Sequence, residues 1–304
     1  MTLDEVLTNN PFTNEIVSGW GKDLEAYNSR QKERSELDFV LKGDQRWVDA
    51  FGENVIYKDL LPVPFQGSPT APVWFIPMNS GYSSIDIFDN LGLCPGCKRS
   101  MINAELYHDN SCEYLRNPDW LKQDGNPLKS LEDRQIILLN QLRLNDGTSF
   151  AFLENAFDTL QNVHVNKGKG GHRWWHKYAA GRKGLLHSCV EDAKLAGERL
   201  FVLETFPYHS DHFNDSYYAS VYFKNSAYFQ FWKKLVKWGV ENGKKFILRP
   251  TGDMFKAMVV GSQLGLSPDN TVFVRNIRSP WVSIGNLSGK DKTIYTIRDL
   301  LSEH

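Results

Sequence analysis

Apolar residues along this chain fall into two kinds of run. Short unbroken ones recur four times: VWFI within PVWFIPMNSGYS, LFVL within GERLFVLETFPYHS, FIL within KKFILRPTGDMFKAMVV, and VFV within TVFVRNIRSPWVSIGNL. Each is too short for a helix and opens into a polar turn, which predicts a buried strand. The second kind repeats every three or four positions. NSAYFQFWKKLVKWGVENG does so and stops at Gly243, as an amphipathic helix should, and SLEDRQIILLNQLRL and AFLENAFDTLQ read as helices behind Ser or Thr caps. Residues 1–60 place Leu37, Val40, Trp47, Val48 and Phe51 at helical spacing amid mixed charge, which predicts an N-terminal helical cap or lobe. The Pro and Gly rich stretch LLPVPFQGSPTAP ends it, and residues 90–130 look irregular. Strands alternating with helices predict an α/β fold with a mainly parallel four-stranded sheet covered on both faces. The expected organisation is a helical segment at 1–60 and an α/β domain at 61–304.

Composition narrows this picture only a little. With 304 residues, 41% apolar and 13% aromatic, the chain can bury a large core, which excludes a disordered regulator. Its net charge of -1 leaves nucleic-acid binding to a local basic surface. The first residues lack a basic and apolar leader and no run reaches a membrane span, so a cytoplasmic protein with no membrane association is expected. Four cysteines are too few to suggest a disulfide framework.

Ligands of open parallel sheets bind beyond the carboxyl ends of the strands. The residues there are markedly polar: Asn79, Tyr82, Ser83 and Asp86 after the first strand, Glu204, Tyr208 and His209 after the second, Arg249 and Asp253 after the third, and Arg278, Ser279 and Asn286 after the fourth. Strand ends are commonly polar and Asn, Ser and Gly make turns. Four such clusters converging on one crevice would be a site.

The run P-M-N-S-G-Y-S (Pro77 to Ser83) resembles the first motif of the uracil-DNA glycosylase superfamily, in particular the N-P-G of its mismatch-specific branch. R-S-P-W-V-S (Arg278 to Ser283) is similar to its second motif, H-P-S-P-L-S, and FVLE (Phe201 to Glu204) occupies the place of a middle strand ending in a base-reading Asn. Together these pieces span residues 72 to 290. The set N-x-G-Y-S, G-G-x-x-W-W, E-x-F-P-Y-H-S and S-P-W-x-S-x-G-N-L also resembles bacterial members of that superfamily, some of which excise hypermodified cytosine from phage DNA. The resemblance implies a three-layer α/β/α sandwich of the uracil-DNA-glycosylase type and hydrolysis of the bond between a base and its sugar. Ser80 stands where the family has Pro, Arg278 where it has His, and Glu204 where it has Asn; the last two move the expectation away from uracil.

Cleaving that bond develops oxocarbenium character on the sugar and negative charge on the base. Asn79 resembles the family's water-positioning residue. Asp86 is a candidate general base or, alternatively, a helix N-cap. An ionised Glu204 would accept from the exocyclic amine of cytosine, where uracil presents an acceptor; a protonated Glu204 would donate to the ring; or the carboxylate pairs with an Arg such as Arg249. Arg278 would stabilise charge on the departing base or grip a phosphate. Tyr82, Ser83, Phe206, His209, Ser279 and Asn286 complete the expected substrate-binding set, with Tyr82 and Phe206 as walls for an extruded base. Trp281, Val282 and Ile284 are candidates for the wedge that fills the vacated stack, or else pack ordinarily.

Between Thr159 and Val190 no acidic residue occurs, while Lys167, Lys169, Arg173, Lys177, Arg182 and Lys183 gather around GKGG, Trp174 and Trp175. Glycine N–H groups flanked by cations make a phosphate clamp, so Lys167, Lys169, Arg173, Trp174 and Trp281 are expected to touch DNA; a solvated basic face is the alternative. His172 and His176, four apart, lack a third ligand. Cys94, Cys97, His108 and Cys112 have spacing that a structural zinc could use, or occur incidentally. No cofactor is expected in the chemistry.

The expectation is therefore a glycosylase acting on a flipped-out modified cytosine, glucosylated hydroxymethylcytosine in phage DNA being the leading case, in antiviral defence and without an obligate protein partner. The alternatives are a repair glycosylase for uracil or another damaged base, a metal-dependent nuclease, and a noncatalytic binder of modified DNA.

Overall fold

The computed structural model describes residues 1–49, 56–77, 131–144, 197–210, 226–249, 264–274 and 287–288. The four apolar runs form strands: β2 (Val73–Ile76), β3 (Leu200–Leu203), β4 (Lys245–Leu248) and β5 (Thr271–Val274). These four run parallel to one another. Two short strands, β1 (Phe65–Gln66) and β6 (Leu287–Ser288), add to the edges antiparallel, giving a six-stranded sheet in the order β1-β3-β2-β4-β5-β6. The expected sheet had four strands; a two-residue ladder carries no periodicity, so the edge pairings were invisible in the sequence.

Alternation along the strands sorts the sheet into two faces. Trp74, Ile76, Phe201, Leu203, Phe246 and Leu248 belong to the main hydrophobic core. The intervening Val73, Phe75, Val202 and Ile247 are also buried. Burial on both faces is why these strands read as continuous apolar runs rather than as alternating ones.

The described helices supply the core on the first face. These are α1 (Leu3–Leu7), α2 (Pro11–Glu15), α3 (Gly21–Asn28), α4 (Gln45–Asp49), α5 (Leu131–Arg143) and α6 (Ala227–Glu241). A π-helical turn, Ile16–Trp20, joins α2 to α3. Phe12 of α2 packs against the rings of Phe65, Trp20 and Tyr228, so the N-terminal helices share one core with the sheet and α6. Asn10 caps α2 and donates across to the Leu142 carbonyl of α5 at 2.7 Å. The predicted helix over AFLENAFDTLQ falls outside the described residues. Among the described residues, no helix is long and apolar enough to cross a membrane.

Helix α6 shows how locally this fold is written. Ser226 caps it by accepting from the Phe229 N–H, and Gly243 ends it at a φ of 68°, a left-handed conformation that glycine adopts without strain. Gly239 faces the sheet. A Cβ there would lie 3.1 Å from both Phe246 and Trp74, so glycine is what lets the helix approach this closely.

Candidate active site

Strand order locates the crevice. From β2 the chain moves to β3 on one side, then returns across β2 to β4 and β5 on the other. The reversal makes the carboxyl ends of β2 and β4 a topological switch point, where doubly wound sheets bind their ligands.

Three residues stand on one level at that edge. Val73 pairs with Leu200 and with Lys245, and continuing both registers sets Pro77 between Glu204 and Arg249. The ladder itself runs on to this level: the Thr205 N–H donates to the Pro77 carbonyl at 3.1 Å, and the Arg249 N–H to the Ile76 carbonyl at 3.2 Å. Alternation sends Pro77, Glu204 and Arg249 to the face opposite the main core.

Glu204 is the chemically distinctive member of the three. It is only 3% exposed, and its Oε2 accepts no hydrogen bond among the described residues. Burial raises its pKa to about 8, against a smaller downward pull from the Arg249 charge. At neutral pH the group is therefore a carboxylic acid, with an O–H to give and a carbonyl to accept. Its ionised form, the sequence-based acceptor for a cytosine amine, is disfavoured there by desolvation. The pairing with Arg249 that was the structural alternative exists as a charge effect, outweighed by burial.

The backbone around Glu204 is held firmly. Its N–H donates to the Pro64 carbonyl at 2.8 Å, and its carbonyl accepts from the Tyr228 hydroxyl of α6. The Thr205 hydroxyl donates to Pro77 at 3.0 Å. Further on, the chain is stitched to the segment before β1: the Val63 N–H donates to Pro207, the Tyr57 N–H to His209, and Ile56 bridges Ser210. A carboxyl mounted on so constrained a backbone has little freedom to relax away from its dry position.

Two expected substrate contacts in this loop are placed inside the protein. Phe206 and His209 are each 1% exposed. Phe206 packs edge-on against Tyr208 with ring centres 5.7 Å apart, and His209 Nε2 lies 3.1 Å from the Leu61 carbonyl. An aromatic or His after a strand looks the same in sequence whether it turns outward or inward. Tyr208 is buried too, and its hydroxyl donates to Asp44 at 2.8 Å.

Asp44 had no sequence signal, since it lies in a polar stretch far from any strand. It nonetheless anchors the scaffold: besides Tyr208, the Ser226 hydroxyl donates to it at 3.2 Å and the Ala227 N–H at 2.7 Å. A carboxylate thus sits at the N-terminus of α6, where the helix dipole favours negative charge. The close approach is marked by Gly43, whose added Cβ would lie 2.9 Å from the Ala227 Cβ.

The other sequence candidates lie outside the described residues. These are Asn79, Tyr82, Ser83 and Asp86 after β2, Arg278, Ser279, Trp281 and Asn286 after β5, and the basic set Lys167, Lys169, Arg173 and Trp174. Cys94, Cys97, His108 and Cys112 do as well; among the described residues no cluster of His, Cys, Asp and Glu could hold a metal. Because β2, β3 and β5 run parallel in the one sheet, their carboxyl ends lie at the same edge. No protein-family model, curated protein or solved structure matches this chain.

Proposed function

We propose that this protein is a DNA glycosylase that hydrolyses the bond between a flipped-out, modified cytosine and its sugar, with glucosylated hydroxymethylcytosine in phage DNA as the leading substrate. The observation that carries the reading is Glu204: a buried carboxyl, unsatisfied at Oε2, beside the switch point of a parallel sheet. Such a group costs stability and is retained where it has chemistry to do. A flipped base entering the crevice brings the partners that Oε2 lacks, since every base carries donors and acceptors on its Watson–Crick edge. Asn79 positions the water, Asp86 takes its proton, and Arg278 meets charge on the departing base; these roles follow from the motif resemblance and from the shared edge of β2, β3 and β5.

The neutral state of Glu204 changes the argument for cytosine. A carboxylic acid can match the donor–acceptor edge of either pyrimidine, so hydrogen bonding by itself does not select. Cytosine, however, has a basic ring nitrogen at N3 that can take a proton, whereas N3 of uracil already carries one.

Incubation with single-stranded and duplex oligonucleotides carrying cytosine, 5-hydroxymethylcytosine, its glucosylated form or uracil, with abasic sites scored by alkaline cleavage, tests the proposal. Release confined to a modified cytosine is expected. Release of uracil alone would replace the substrate assignment. Strand cleavage that requires a divalent cation, without abasic sites, would replace the reaction class.

A further inference from the structure

The glycosylase reading leaves open what Glu204 does during bond cleavage. It is fixed through both backbone groups, to Pro64 and to Tyr228, so its reach is set by the side chain alone. Its Oε2 is buried and has no hydrogen-bond partner among the described residues, so its hydrogen-bonding capacity is not met by them. Arg249 stands on the same level of the sheet, one strand beyond β2, with its charge acting on the carboxyl. Strands lie about 4.8 Å apart, so the two backbones are separated by roughly 10 Å, a span two long side chains can share.

We infer that Glu204 is the general acid of the reaction, giving its proton to the ring of the departing cytosine while Arg249 stabilises the carboxylate left behind. The inference rests on the glycosylase reading and assigns a step within it. As the C1′–N1 bond breaks, its electron pair moves onto the base; the Glu204 proton transfers to N3, and the base leaves neutral. Water adds to C1′ and loses its proton to the general base, for which Asp86 is the candidate. The sum is one water consumed, one base and one abasic sugar formed. Glu204 ends ionised and Asp86 protonated, and exchange with solvent resets both. A buried acid whose Oε2 has no hydrogen-bond partner among the described residues is suited to this, because none of them holds a proton on that oxygen.

Two further titratable groups among the described residues have partners of their own. Tyr228 of α6 gives its hydroxyl to the Glu204 carbonyl, and the His209 ring is turned to Leu61. Arg249 is the charge that acts on the carboxyl, and it lowers the pKa that burial raises to about 8. The acid form, and with it activity, is therefore present below about pH 8 and lost above it.

The test follows single-turnover base release between about pH 5 and about pH 10, on whichever cytosine-type base the wild type releases, for wild type, Glu204→Gln and Glu204→Asp; release of uracil alone would overturn the inference, since N3 of uracil already carries a proton. The expected result is an alkaline fall in the wild-type rate near the Glu204 pKa. Glu204→Gln keeps the size and neutrality of the acid but cannot transfer a proton, so its maximal rate drops by about 10²-fold or more, with the half-saturating DNA concentration little changed and the alkaline limb gone. Glu204→Asp recovers part of the rate and keeps a limb. A Glu204→Gln enzyme with near wild-type rate, or with the limb intact, overturns the inference while leaving the glycosylase reading standing. If Glu204→Gln does not fold, the wild-type profile decides, and a rate level up to about pH 10 overturns it. Absence of base release by the wild type from every DNA would instead defeat the glycosylase reading, and this inference with it.

Discussion

Two buried carboxyl groups near the start of α6 are treated in opposite ways. Asp44 is fully buried and accepts from Tyr208, Ser226 and the Ala227 N–H. Glu204, 3% exposed, leaves Oε2 without a hydrogen bond among the described residues and has its pKa pushed up to about 8. Even the same stretch of chain serves both, since Ser226 and Ala227 turn to the Asp44 side chain while Tyr228 turns to the Glu204 backbone. A carboxyl supplied with donors is scaffold. One denied them is kept at a cost in stability, and the difference teaches where to look for chemistry.

The contrast can be broken most severely at Asp44. Asp44→Ala leaves two hydroxyls and an amide N–H without their acceptor and should destabilise the protein by about 3–5 kcal/mol in urea unfolding; a loss below about 1 kcal/mol would mean that the network is dispensable. Glu204→Gln should act in the other direction. Its folded-state pKa of about 8 lies above the ordinary 4.5, so the folded state binds the proton more tightly and wild-type stability falls as pH rises between those values. Below about 4.5 both states are protonated and the penalty vanishes. The Gln variant should therefore match wild type near pH 4.5 and exceed it by roughly 4–5 kcal/mol at pH 8 and above. Parallel stability curves for the two proteins would show that Glu204 does not carry this penalty.

Smaller changes sharpen the comparison. Tyr208→Phe removes one donor to Asp44 and should cost about 1–2 kcal/mol, with Asp44 still held by Ser226 and Ala227. Denaturation midpoints for the single and the Asp44 variants, combined in a double-mutant cycle, measure that share. At the bottom of the scale, Lys32→Ala breaks a partly exposed ion pair with Asp23 at 2.7 Å. It should change stability by less than about 1 kcal/mol, and by less still in high salt.

How much of this was legible in the sequence depended on how local the signal is. The four central strands lie where VWFI, LFVL, FIL and VFV predicted them, because burial on both faces leaves an unbroken apolar run. Helix α6 was readable at both ends, from its period and from Gly243. Strands β1 and β6 were not, since two residues per strand carry no pattern. Glu204 stood out as a charge at the end of an apolar run, but whether that charge is ionised depends on how many layers of protein cover it. The burial of Phe206 and His209, against Tyr208 and the Leu61 carbonyl, was likewise not legible, since it depends on those partners rather than on residue type.

The sequence by itself determined that strands would form, that they would be buried on both faces, and that polar residues would follow each of them, because these are consequences of side-chain chemistry and spacing within a few residues. Only the tertiary structure decided that β2 would lie between β3 and β4. That order, made by contacts between segments more than a hundred residues apart, sets Glu204 and Arg249 on either side of Pro77. It also decided the protonation of Glu204, because desolvation is a property of what surrounds a carboxyl and not of the carboxyl itself.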